Sequence, residues 1–218
     1  MGEYYDYKVA NILARCDSVG LTLWLANKDF VASEMRFAIL ISLLACAPSP
    51  ASGQTVTLGT GQLLRDARID CSRSPGQIDG IVVTGPDVTI ERVTIVAPRI
   101  GIRATGSNSG RLRVRDVFIV DAYEAGVKLD NAFDFSWIES TEVWNPGFQW
   151  TGIRGSGFHV AGSSGHVMLS NCAVFAAENA LLIDGPQNVV SVANSSWDFC
   201  GWGVRIVGPH EVPITGGV

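Results

Sequence analysis

Two landmarks recur along the chain with one shared period, and that restricts the fold more tightly than anything else in the sequence. The first is a short strand, a two-residue step and a second short strand: "VTIERVTIV" from Val88, "LRVRDVFIV" from Leu112, "SWIESTEVW" from Ser136, "VMLSNCAVF" from Val167 and "VSVANSSWD" from Val190. The second residue of the step falls at Arg92, Asp116, Ser140, Asn171 and Asn194, at intervals of 24, 24, 31 and 23. "LLRDARID" from Leu63, with Asp66 at the step, is a weaker first copy. The second landmark follows each copy: "DGIVVTG", "IGIRATG", "AGVKLDN", "SGFHVAG", "NALLIDG" and "WGVRIVG", aligned on Gly80, Gly101, Gly126, Gly157, Ala180 and Gly203 at spacings of 21, 25, 31, 23 and 23. A period this short cannot hold a β-α-β crossover, and it lacks the leucine pattern of a horseshoe repeat. It predicts an all-β solenoid of six coils over residues 62–208, each strand pairing with its copy in the next coil.

The pattern resembles the right-handed parallel β-helix superfamily (the pectin lyase fold), whose members include pectate lyases, polygalacturonases and phage tailspikes. The resemblance implies three sheets per coil, with the glycine-led element as the first, and an asparagine ladder at the step, where Asn171 and Asn194 fall. Alternation along a strand then sorts the first sheet. Ile102, Val127, Leu129, Phe158, Val160, Leu181, Ile183, Val204 and Ile206 point inward. Val82, Arg103, Lys128, His159, Leu182 and Arg205 form one outward column, and Thr84, Thr105, Asp130, Ala161, Asp184 and Val207 the next.

Neighbouring coils lie about 4.8 Å apart, so like charges in one column repel by roughly 1 kcal/mol even in water. A bound anion would relieve that. The resemblance implies a groove along this sheet for an acidic polysaccharide, with Arg103, Lys128 and Arg205 pairing with carboxylates, Asp130 and Asp184 beside them, and Lys128 or His159 as the candidate base. The competing reading is a solvated face whose cations are balanced by Asp130 and Asp184. Departures from the enzymes bear on this choice. The aspartate pairs of the polygalacturonases are missing, and "GFHV" and "RIV" only approach the "GHG" and "RIK" motifs. Calcium-dependent lyases cluster acidic residues on adjacent coils, whereas Asp130 and Asp184 are separated by Ala161, so no cofactor is expected.

A second outward surface lies on the third sheet, in the columns Arg68, Thr94, Phe118, Glu142, Ala173, Ser196 and Asp70, Val96, Val120, Trp144, Phe175, Asp198. Phe118, Trp144 and Phe175 there could stack on sugar rings, unless a loop, a second chain or the N-terminal segment covers them. The longest coil inserts a loop after Trp144, "WNPGFQWTGIRGSG", and places Trp150 and Arg154 as further ligand contacts; Trp150 reads equally well as a lid on the core.

The remaining features bound the context. From Met35 the chain has one arginine, an apolar run from Phe37 to Ala47, then small residues and prolines, which predicts a signal peptide over residues 35–53. Residues 1–34 then read as an extension, either an upstream mis-start or a helical segment, and 54–218 as the exported domain, secreted or periplasmic. A lipoprotein anchored at Cys46 is the alternative; the apolar run is too short for a membrane span. Cys71, Cys172 and Cys200 are an odd set without close spacing, which fits core residues better than disulfides or zinc. A formal charge of −5, from 16 basic and 21 acidic residues, gives no general attraction to nucleic acid. The expected partner is a polysaccharide or surface glycan. "GPHEVPITGGV" supplies no amphipathic cap, which leaves truncation, end-to-end pairing or a spike-like trimer open.

Overall fold

The computed structural model describes residues 16–17, 20–21, 53–185, 188–208 and 214–215. The chain divides into two units, Met1–Cys46 and Ala47–Val218. In the first, β1 (Cys16–Asp17) pairs antiparallel with β2 (Gly20–Leu21). The expected signal peptide, except Gly53, and Cys46 lie outside the described residues. So does the apolar run; among the described residues, no helix is long and apolar enough to cross a membrane.

The second unit is a right-handed parallel β-solenoid of about six turns. Each turn contributes one strand to a seven-stranded sheet and then one or two strands to a nine-stranded sheet. In chain order the turns hold β3 (Val56–Leu58) and β4 (Leu63–Asp70), β5 (Ile81–Val83) and β6 (Thr89–Val96), β7 (Ile100–Thr105) and β8 (Arg113–Val120), and β9 (Ala125–Asp130) and β10 (Phe135–Trp144). Then come β11 (Ser156–Ala161) with β12 (Gly165–Ser170) and β13 (Ala173–Phe175), β14 (Asn179–Asp184) with β15 (Asn188–Ala193) and β16 (Ser196–Asp198), and β17 (Trp202–Val207) with β18 (Ile214–Thr215).

The step residues of the repeat are where the second sheet bends. Asp66, Arg92, Asp116, Ser140, Asn171 and Asn194 all have left-handed backbones, with φ between 46° and 53°. Aspartate and asparagine tolerate that region best among residues with a side chain. In the first four turns the strand runs unbroken through the bend, and at Asn171 and Asn194 it divides in two. The expected second and third sheets are therefore one hydrogen-bonded sheet, because β10 pairs with both β12 and β13.

Asn171 and Asn194 are exposed and make no inward ladder. A buried asparagine, Asn145, stands one position past the second sheet: its side-chain oxygen accepts from the Ala122 N–H at 2.9 Å and its amide nitrogen reaches the Ala176 carbonyl at 3.5 Å, tying three turns together. The outer side of the bend carries alternating charge instead. One column runs Arg65, Glu91, Arg115, Glu139 in register, and the step column beside it runs Asp66, Arg92, Asp116 with the opposite signs.

The expected first-sheet stack is buried from Ile102 to Ile183, and Ile81, Ile90, Ile95, Ile119, Ile138 and Leu169 complete the core from both sheets. Burying each such side chain contributes about 1.5–3 kcal/mol. The stack fails at its last rung: Val204 is only partly buried and Ile206 is 46% exposed, because β17 is the edge strand of its sheet. Cys71 and Cys172 sit in the core and Cys200 packs against it, all as free thiols. Burial pushes the Cys172 thiol up to about 11, so it is an inert space-filler.

Candidate functional site

The outward column of the first sheet has the predicted register. Val82 pairs with Arg103, Arg103 with Lys128, Lys128 with His159, His159 with Leu182, and Leu182 with Arg205. Its basic residues already have partners, Lys128 in the turn that leads into its own strand and Arg103, His159 and Arg205 on a neighbouring coil. Arg103 Nε lies 3.0 Å from the carboxylate of Asp79. This is an ion pair without hydrogen-bond geometry, since that buried nitrogen has no hydrogen-bond acceptor. Arg99 holds the same carboxylate with two hydrogen bonds, at 2.9 and 3.0 Å, and approaches Glu124 at 3.5 Å. Lys128 Nζ donates to Glu124 at 2.9 Å, His159 Nε2 lies 3.1 Å from Asp184, and Arg205 is 3.9 Å from Glu178.

Asp79 is the hub, only 5% exposed and facing two guanidinium groups. Its hydrogen bond to Arg99 pushes that guanidinium above its already high range. The sequence reading missed Asp79, Arg99, Glu124 and Glu178. Their signal was present: Arg99, Glu124 and Glu178 each stand two residues before the aligned Gly101, Gly126 and Ala180, and Asp79 stands one before Gly80. Asp130 plays no balancing role, its carboxylate accepting instead from the Asn131 amide at 2.9 Å. Asp184 does meet His159. Among the described residues, no three His, Cys, Asp or Glu side chains are grouped to hold a metal ion.

The aromatic residues of the third face come together more closely than the sequence indicated. Trp144 and Phe175 are register partners on β10 and β13, and their rings stack at 4.3 Å between centroids. Phe199, one residue past β16, continues the line at 6.0 Å from Phe175, and Trp150 meets Phe199 edge-on at 5.9 Å. Trp144 is 42% exposed and Trp150 82%, so Trp150 is no lid on the core. Phe118 stands apart, lining a shallow depression with Asp116, Val117, Ser140 and Glu142.

The inserted loop is fastened at its base, which fixes Trp150. Pro146–Phe148 form a single 3-10 turn, the Gly147 N–H donates to Asp121 at 3.0 Å, and the Thr151 hydroxyl donates to the Gly147 carbonyl at 2.8 Å. Phe148 is buried edge-on against Tyr123 at 5.0 Å, and the Arg154 guanidinium lies 4.5 Å above Phe148 and 5.6 Å from Tyr123. Arg154 is thus an exposed residue whose guanidinium lies over two rings, while Trp150 is held out with Phe199 at the end of the aromatic line.

The two candidate surfaces differ in what they leave for a ligand. The first sheet offers charges already matched within the chain. The aromatic line offers apolar ring surface that is exposed at Trp144, Trp150 and Phe199, while Trp144 and Phe175 cover one face of each other. Monomeric surfaces seldom leave contiguous apolar patches without a use. No family model, curated protein or solved structure matches this chain.

Proposed function

We propose that this is an exported polysaccharide-binding protein of the right-handed parallel β-helix superfamily, which holds a glycan chain along Trp144, Phe175, Phe199 and Trp150 and does not cleave it. The observation that carries the reading is the exposed, stacked aromatic line, whose ring faces rise turn by turn. Sugar rings present apolar C–H faces that pack on such rings while their hydroxyls stay in water, and each good ring contact contributes about 0.5–1.5 kcal/mol beyond the area it buries. The outward face of the first sheet supports a glycan groove less, because Arg103, Lys128 and Arg205 each already face a carboxylate of the same chain. The same pairing weighs against Lys128 as a base, since its ammonium is already engaged by Glu124.

The test incubates the protein with polygalacturonate, alginate, capsular glycans and neutral and amino-sugar oligomers, following unsaturated products, reducing ends and retention on immobilised glycan. Retention without product release is expected, and Trp150→Ala should weaken it about 3- to 10-fold while leaving thermal unfolding unchanged, because that ring is almost fully exposed. Release of unsaturated or reducing ends would replace binding with lyase or hydrolase activity. Retention that is indifferent to Trp150→Ala would move the contact off the aromatic line.

A further inference from the structure

The charge around the aromatic line specifies a class of ligand. From the turn of Phe118 onward, the two outward columns of this face carry no cation and two carboxylates. Glu142 stands two residues before Trp144 on the same face of β10, in register with Phe118. Asp198 is the register partner of Phe175 on the next turn. On the spacing of strands, the backbone position of each carboxylate residue is about 5–7 Å from that of a ring residue. Among the described residues, neither side chain has an ion-pair or hydrogen-bond partner, in contrast to Asp79, Glu124, Glu178 and Asp184 at the first sheet, each of which meets a basic side chain. Glu142 also shares the depression under Phe118 with Asp116, whose own charge is only partly met by Arg115 at 3.6 Å. Arg154, the cation of the adjoining loop, is stacked on Phe148 and Tyr123.

We infer that the ligand is a cationic polysaccharide, one carrying free amino groups on its sugar rings. Such a chain meets both features of the surface. Its ring faces pack on the exposed surfaces of Trp144, Phe199 and Trp150, and its ammonium groups pair with Glu142 and Asp198 while gaining cation–π attraction from the neighbouring rings. A uronate chain would set its carboxylates against Glu142 and Asp198. This inference rests on the glycan reading above and adds the sign of the charge.

The experiment compares binding of a de-N-acetylated glucosamine oligomer, its N-acetylated counterpart, a galacturonate oligomer and poly-lysine by calorimetry in mildly acidic buffer, where the sugar amines are charged. The deacetylated oligomer should bind about tenfold tighter than the acetylated one, two exposed charge contacts being expected to give that ratio. The advantage should shrink in high salt and disappear in the Glu142→Gln/Asp198→Asn double variant, whose circular dichroism and melting should match the parent. Equal binding of acetylated and deacetylated oligomers, or preference for galacturonate, would overturn the charge inference and leave the glycan reading standing. Absence of binding to any sugar would overturn both. Poly-lysine bound as tightly as the amino sugar, with no effect of Trp150→Ala, would also overturn the inference, because charge alone would then explain it.

Discussion

Asp66, Asp87 and Glu91 each hold a carboxylate gripped by an arginine one turn further along the solenoid. Arg92 meets Asp66 at 2.6 and 3.0 Å, Arg111 meets Asp87 at 2.7 and 2.8 Å, and Glu91 is bonded by Arg115 and Arg92 with Arg65 at 3.8 Å. Two-pronged guanidinium pairing favours the ionised carboxylate. It holds all three acids below their ordinary values of 3.8 for the aspartates and 4.5 for Glu91, the arginine hydrogen bond being the largest cause in each. A folded-state pKa below the unfolded one means stability that is present above the unfolded value and is lost as pH falls through the folded one. The urea midpoint should therefore hold steady down to about pH 5 and drop between about pH 4.5 and 2.5. Glu91→Gln should lower the neutral-pH midpoint and flatten that acid slope, because the three arginines then face an uncharged amide. An acid slope identical to the parent's would show that these pairs form in the unfolded chain as well, or contribute nothing.

At the scale of the strand, the glycine that opens each first-sheet rung is there for space. A methyl group on Gly126 would lie 2.3 Å from a methyl of Val143 and 2.7 Å from the Gly157 carbonyl, and the same collision recurs at Gly101 and Gly157 with the carbonyl of the following turn. At Gly203, on the edge strand, the nearest atom would be a ring carbon of Trp197 at 3.4 Å, an ordinary contact. Gly126→Ala should thus cost about 1–3 kcal/mol by overpacking, and Gly203→Ala less than about 0.5 kcal/mol, measured as the difference in chemical unfolding free energy. Equal effects would mean that the glycine column serves the unfolded chain or the turn and has no packing role. This close approach is also why the solenoid was legible in the sequence: a small residue, glycine in most rungs and Ala180 in one, and a left-handed step recur with the turns, and both leave a residue type behind. Where the requirement lapses, the signal goes with it. Val56–Leu58 was missed as a rung because its register places Thr55 opposite Gly80, and Thr55 uses its hydroxyl to bond the Asp79 carbonyl at 2.8 Å. The partners of Arg103 and Lys128 were missed for a related reason. They stand in turns of unequal length, where strand alternation no longer says which way a side chain points, so the cation column was readable and its neutralisation by Asp79 and Glu124 was not. The aromatic line was half readable: register predicted Trp144 beside Phe175, but Phe199 and Trp150 join it from outside the strands.

For the molecule as a whole, stability is a sum of turns and of the contacts between neighbouring turns, since each rung touches chiefly the rungs on either side. A central rung such as β9 is held by β7 and β11, with Val127 and Leu129 fully buried. Among the described strands, β17 stands at the edge of its sheet and pairs with β14, and Trp202 is 58% and Ile206 46% exposed. Leaving an isoleucine half in water forfeits a large part of the roughly 1.5–3 kcal/mol that its burial contributes. Opening β17 locally therefore costs less than opening β9, by an amount that corresponds to about tenfold or more in the opening equilibrium. Native-state hydrogen exchange on the full chain should show amides of 202–207 exchanging at least about tenfold faster than those of 125–130, with 179–184 between them. The gradient separates two kinds of solenoid. If the turns unfold progressively from this edge, denaturant should accelerate exchange in 202–207 well before 125–130. If 202–207 is instead as protected as 125–130, the turns open as one cooperative unit and the exposed edge carries no local weakness.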